Sequence, residues 1–200
     1  MKTSQSFTIQ DPPLARWLFA DPRSAWLWLP VRIWLGLAWL SAGLGKMENP
    51  GWMQTGVSLQ KFWEKAVTVP EQGKPAIAYD WYRGFLQMLL EGGHYTWFAK
   101  LVALGETVVG IALIVGAFVG IAAFFGAFMN WHFVMAGTAS TNALLMVAGL
   151  GLVLAWKTAG LIGLDRYILP MIGTPWQPGV VAKSNGEDQR LAGPAIDQTR

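Results

Sequence analysis

The apolar positions of this chain come in long runs, rather than in the alternation of half-buried strands or the narrow stripes of soluble helices. Residues 25–45 form one run, and 95–161 hold most of the others, broken by short glycine-bearing turns. Within 101–136 the only charged residue is Glu106, and that run is long enough to cross a bilayer, reverse and cross back. Its one reversal signal is Gly116-Ala117-Phe118-Val119-Gly120. The pattern therefore predicts spanning helices at about 25–45, 95–115, 121–136 and 141–161, with a tight turn over 137–140.

Around these runs the pattern changes. Residues 14–19 form a short amphipathic stretch, too short to span, inside an N-terminal interfacial segment 1–24. In the long connection 47–94, the stretch 52–67 places Leu59, Phe62, Trp63 and Ala66 at helical spacing, and 80–90 is rich in Trp81, Tyr82, Phe85 and Leu86. Both read as amphipathic helices lying on the bilayer surface or folded over the bundle. Residues 171–200, with Pro, Gly, Gln and charge but no periodicity, read as a flexible tail. The expected fold is all-α: a polytopic membrane four-helix bundle over residues 25–170, with amphipathic helices in an extracytoplasmic first connection.

Composition agrees. The chain is 53% hydrophobic and only 14% charged, whereas soluble domains carry roughly 25% charged residues. It has no cysteine, which excludes disulfides, thiolate chemistry, Cys-ligated clusters and covalent c-type haem. The net charge of +3 comes without a basic cluster, so it speaks for membrane topology and against a nucleic-acid partner. Lys2, Arg16, Arg23, Lys157, Arg166, Lys183, Arg190 and Arg200 outnumber Lys46, Lys61, Lys65, Lys74 and Arg83 on the opposite side. The positive-inside rule then puts both termini in the cytoplasm. The N-terminus lacks the pattern of a cleaved signal, so the first span is expected to act as an anchor.

The candidate chemistry starts at Glu106. A carboxylate inside a span is costly, and such residues usually face protein, pair and serve a function. Ala99, Ala103, Glu106 and Gly110 share one narrow stripe, and small residues let helices approach closely. The first span has a matching stripe of Arg32, Gly36, Trp39, Gly43 and Lys46. Either Arg32 meets Glu106, directly or through water, or Arg32 snorkels to the surface and Glu106 stays protonated. In the third span Asn130 lies near the depth of Glu106; it either hydrogen-bonds the carboxylate or a ligand carbonyl, or holds helices together. His132 lies on a bulkier face with Phe125, Phe128 and Met135, which reads as an interfacial or partner-facing position. A haem would need His94 and His132 to face each other, and two histidines alone do not argue for haem or pigment ligation. No hydrolase triad, phosphate loop or metal-ligand spacing is present, so no metal is expected. Buried Glu and Arg beneath aromatic rings suit a neutral, redox-active or proton-linked ligand such as a quinone, whose reduction needs protons at its carbonyls; equally, the same polar groups could hold four short helices in register. The expected catalytic residues are Glu106 and Arg32; the expected substrate- or quinone-binding residues are Lys46, Asn130, His132 and Trp39.

Several segments resemble the DoxX/DoxD family: Arg32-Ile-Trp-Leu-Gly36, Ala42-Gly43-Leu44-Gly45-Lys46, Gly105-Glu106-Thr107-Val108-Val109-Gly110, and Met129-Asn130 with Phe133 to Ser140 and Asn142. Trp156-Lys157-Thr158-Ala159-Gly160 and Gly163-Leu164-Asp165-Arg166 are similar to its DoxD-like branch. His132 departs from a pattern that tends to have Asn there. The resemblance implies a four-helix protein of the bacterial or archaeal cytoplasmic membrane. In the best-known branch it implies the large subunit of a thiosulfate:quinone oxidoreductase, working with other protein subunits and with membrane lipid and quinone as its small-molecule partners. The alternative is a non-catalytic accessory subunit of a larger respiratory or photosynthetic complex. A small carrier is a third reading, which the absence of an inverted repeat disfavours.

Overall fold

A computed structural model describes residues 11–174 and 177–180. The described chain is helical almost throughout. The helices are α1 (Pro13–Ala20), α2 (Ala25–Met47), α3 (Pro50–Met53), α4 (Val57–Val67), α5 (Asp80–Glu91), α6 (Tyr95–Val115), α7 (Val119–Met135), α8 (Ser140–Leu154), α9 (Trp156–Ala159) and α10 (Asp165–Ile172). A 3-10 turn (Pro22–Ser24) leads into α2, and Gly173–Thr174 pairs antiparallel with Gln177–Pro178. The segment read as a flexible tail thus begins with the end of α10 and this small pairing; residues 1–10 and 181–200 lie outside the described residues.

Among the described residues, two helical stretches are long and apolar enough to cross a membrane, Pro22–Met47 and Tyr95–Val115. Helices α7 and α8 are apolar and shorter, at 17 and 15 residues. The fourth expected span, 141–161, breaks at Ala155 into α8 and α9. Helix 52–67 is also two pieces. Gly56 adopts φ +74, and a Cβ there would stand 2.6 Å from the Tyr95 carbonyl oxygen. Both the left-handed conformation and the lack of space demand glycine, so the chain turns and α4 starts afresh.

Two helix pairs make the body: α2 lies along α6, and α7 along α8. The first pair is antiparallel and closes on glycine. Gly36 meets Ile114 and Gly110, Gly110 meets Leu40, and Gly43 meets Thr107. A core of Trp28, Leu35, Trp39, Leu113, Ala123 and Leu152 joins the pairs. At one end α4 and α5 pack together over α6 as a roof, with their own core of Leu59, Trp63, Ile77, Leu86 and Ala99. At the other end, the base, α1 and α9 pack beside the start of α2, where Phe19 stacks on Trp28 and the Trp28 indole donates to the Leu18 carbonyl at 2.8 Å.

The base is tied by the segment 162–165. The Leu164 and Asp165 amides donate to the Val115 and Gly116 carbonyls at 3.1 and 2.8 Å. The two Asp165 oxygens accept from the amides of Phe118 (2.6 Å) and Val119 (2.8 Å). Those amides are among the unpaired donors of the α7 N-terminus, where negative charge is favoured. The same bonds hold Phe118 at φ 49, a left-handed conformation that non-glycine residues rarely adopt.

The close α2–α6 contact gives a matched pair of substitutions. Gly110→Ala places a methyl 2.5 Å from the Leu40 amide nitrogen, where backbone must move. It is expected to lower stability by about 1–3 kcal/mol. Gly105→Ala lies in the same helix with only the Met129 sulfur nearby, at 3.5 Å. Thermal unfolding of the purified variants should separate them, with Gly105→Ala close to wild type.

Candidate functional site

Glu106 is buried to 1% exposure, and its partner is Lys46, whose ammonium donates to Oε2 at 2.6 Å. Lys46 sits in the last turn of α2 and reaches back toward the bundle. It keeps 21% of its side chain exposed and lies 5.2 Å from the centre of the Trp52 ring in α3. Beside the pair, the Thr107 hydroxyl donates to the Ala103 carbonyl at 2.9 Å and contacts the Met47 sulfur at 3.2 Å.

The expected pairing of Arg32 with Glu106 is not formed. Because α2 and α6 run antiparallel with Gly43 against Thr107, Arg32 stands three turns below the acid, roughly 16 Å along the helix at 1.5 Å per residue. Its guanidinium turns to the base. Nη1 donates to the Ala159 carbonyl at 3.0 Å and Nη2 to the Ile162 carbonyl at 2.7 Å. It lies against Gly116 and Gly163, where any side chain would collide with it. Arg32 therefore satisfies one carbonyl left open at the end of α9 and one in the segment that follows it, and Asp165 acts on it electrostatically. The sequence marked the 163–166 segment as the place where the chain leaves the last apolar run and as part of the resemblance; the buried Asp165 that caps α7 carried no periodic signal.

Trp39 and Asn130 are both buried, on facing helices. Gly126, one turn before Asn130, leaves room for the Trp39 indole nitrogen, which lies 2.9 Å from where a Cβ would stand. The Trp39 Nε1 and both amide atoms of Asn130 lack a hydrogen-bond partner among the described residues. Buried polar atoms normally find one, so this seam has capacity for a small polar group.

His132 departs from the reading of an interfacial or partner-facing side chain. It faces α5, where the Tyr82 hydroxyl lies 3.0 Å from Nδ1 and 3.1 Å from the His132 carbonyl oxygen. Phe128 and Trp131 pack edge-on against the imidazole. Tyr82 is 2% exposed, and burial pushes its phenol up to about 12, so it remains a donor at any physiological pH. His94 meets the Trp97 indole nitrogen at 3.2 Å instead, so the two histidines have separate partners. Among the described residues no group of three or more His, Cys, Asp or Glu could hold a metal.

Tyr82 and His132 line a cavity of about 610 Å³ between α6 and α7, roofed by α4 and α5. It runs from Phe118 at the base to Ala136 at the roof, and its walls are otherwise apolar. Volumes of about 300–1,000 Å³ suit small-molecule ligands. Of the expected site residues, His132 alone lines it; Glu106, Arg32, Lys46, Asn130 and Trp39 do not. Sequence reasoning missed Tyr82 as a site residue, although it stood in an amphipathic helix expected to fold over the bundle.

No family model, curated protein or solved structure matches the chain.

The Lys46–Glu106 contact is open to a double-mutant cycle. Glu106→Gln leaves a half-buried ammonium without its carboxylate, and Lys46→Met leaves a buried carboxylate without its cation. Breaking a fully buried pair costs about 3–5 kcal/mol, and partial exposure of Lys46 should reduce this to about 1–3 kcal/mol. The Lys46→Met/Glu106→Leu double variant should recover most of the loss, giving a coupling of about 1 kcal/mol or more by thermal or denaturant unfolding.

Proposed function

We propose that α2, α6, α7 and α8 all cross a bilayer and that the protein is a membrane subunit of a quinone-linked oxidoreductase, with the quinone held in the groove between α6 and α7. The groove carries this reading. It is deep, almost wholly apolar and ends at one polar pair, which matches a ligand with a long hydrocarbon tail and a carbonyl-bearing ring. The bilayer assignment is supported by the outward faces of these helices. Leu37, Leu44, Leu104, Val108, Ile121, Phe124, Leu144 and Val147 are all exposed, a belt far larger than soluble monomers tolerate. At 17 residues α7 is roughly 25 Å long, and α8 with α9 covers a similar depth.

In this reading the membrane is the bacterial or archaeal cytoplasmic one, the base faces the cytoplasm with both termini, and the roof of α4 and α5 lies outside. The resemblance to the DoxX/DoxD family fits the same arrangement and suggests thiosulfate as reductant. Two thiosulfate ions then lose two electrons to give tetrathionate, and the quinone takes those electrons and two protons to give quinol. A dianion does not suit an apolar groove, so its place is outside, on the Lys46 and Trp52 side or on a soluble partner subunit. Glu106 and Lys46 fasten α2 to α6, and Arg32 fastens the base.

A short-tailed quinone titrated into the purified protein in lipid nanodiscs should bind saturably. Gly105→Phe, which projects into the groove, should weaken that binding tenfold or more with helicity retained. Wild-type protein that binds no quinone, and does not reduce it with thiosulfate when its membrane partners are present, sinks the reading.

A ribbon of exposed rings favours a second reading, an accessory subunit of a larger respiratory or photosynthetic complex. Phe124, Phe128 and Trp131 stack in sequence along the outer face of α7, at centroid separations of 6.4 and 6.2 Å. That role predicts co-purification with other membrane subunits from gently solubilised membranes, and unchanged turnover of that complex in Glu106→Gln.

A further inference from the structure

The polar end of the groove can do more than accept a ring. The Tyr82 hydroxyl has two acceptors within reach, Nδ1 of His132 at 3.0 Å and the His132 carbonyl oxygen at 3.1 Å. The carbonyl already accepts the Ala136 amide at 3.0 Å, so it does not depend on the tyrosine. The hydroxyl hydrogen is therefore free to point at either. When it points at Nδ1, the neutral imidazole carries its proton on Nε2. When it points at the carbonyl, Nδ1–H donates back to the phenolic oxygen and Nε2 presents a lone pair. No heavy atom moves between the two arrangements.

Nε2 has no hydrogen-bond partner in the protein among the described residues, and the imidazole lines the groove. Resting on the quinone reading above, we propose that the Tyr82–His132 pair is the head-group site. In it His132 Nε2 binds one ring oxygen, donating to the carbonyl of the quinone or accepting from the hydroxyl of the quinol. Tyr82 selects the tautomer, and the hydrocarbon tail runs between α6 and α7 toward Phe118. Glu106 and Asn130 take no part in recognising the ring, because neither lines the groove. The same pair thus matches both redox states of one ligand, as a carrier that arrives oxidised and leaves reduced requires.

The test compares ligands and reads the imidazole directly. A short-tailed quinone, its quinol and squalene, an isoprenoid hydrocarbon without a polar head, are titrated into wild type, His132→Phe and Tyr82→Phe in nanodiscs. His132→Phe should weaken quinone about three- to tenfold, the worth of one neutral hydrogen bond, and leave squalene unchanged. Tyr82→Phe should alter the ratio of quinone to quinol affinity by a similar factor. In wild type, histidine nitrogen-15 shifts should show Nε2 protonated with quinone bound and Nδ1 protonated with quinol bound; this needs no variant to fold. Equal weakening of quinone and squalene, or a tautomer indifferent to the ligand's redox state, overturns the head-group site while the quinone reading stands. Squalene binding as well as quinone in wild type makes the groove a seat for lipid tails and overturns it too. No quinone binding at all removes the functional reading itself.

Discussion

The contact between α2 and α6 is what the rest of the structure is built against. Glycines at 36, 43 and 110 bring the two backbones to within side-chain-free distance, and Lys46–Glu106 closes the roof end of that contact. In so apolar a setting the carboxylate needs a counter-ion, and the terminal turn of α2 supplies one while keeping its own ammonium partly exposed. The ion pair therefore fixes the axial register of the two helices: a slip of one turn would bury Glu106 unpaired. Trp39 and Leu113 then stand at defined heights, and the second helix pair packs on them.

The helical content was readable because apolar runs of spanning length leave few alternatives to helix. The expected 95–115 is found at Tyr95–Val115, and the reversal placed at 116–120 is the turn capped by Gly116 in the left-handed conformation. Glu106 facing inward also followed from spacing, since Ala99, Ala103 and Gly110 share its stripe and all are buried. What spacing along one helix does not contain is register between two. Arg32 and Lys46 belong to the same stripe of α2, and choosing between them as the partner of Glu106 requires knowing which ends of α2 and α6 meet.

The site was less legible than the fold for a related reason. His132 was visible as a polar residue on a bulky face, but its partner Tyr82 comes from a helix fifty residues away in sequence. Amphipathic periodicity showed that α5 lies on something; it did not say what. Asp165 was hidden in the same way, because a carboxylate at the edge of an apolar run reads as the point where the chain leaves the membrane. Here it turns inward to cap α7.

The groove itself follows from the contrast between the two faces that α6 presents. Toward α2 it offers Ala103, Gly110 and Thr107, and the helices close. Toward α7 it offers Val102, Val109 and Ala112 against Phe125, Met129 and Phe133, side chains too large to let the axes approach. The two helices are nevertheless tied at both ends, by the Asp165-capped turn at the base and by α4 and α5 across the roof. A pair of helices held together at its ends and wedged apart by rings along its length must enclose a slot. That slot must be apolar along its walls, because the wedging residues are hydrocarbon, and polar only where a roof helix supplies a different kind of side chain. Tyr82 meets His132 at that place. The position of the polar pair is thus a consequence of how the slot is closed: hydrocarbon walls along its length, a hydroxyl and an imidazole at the roof.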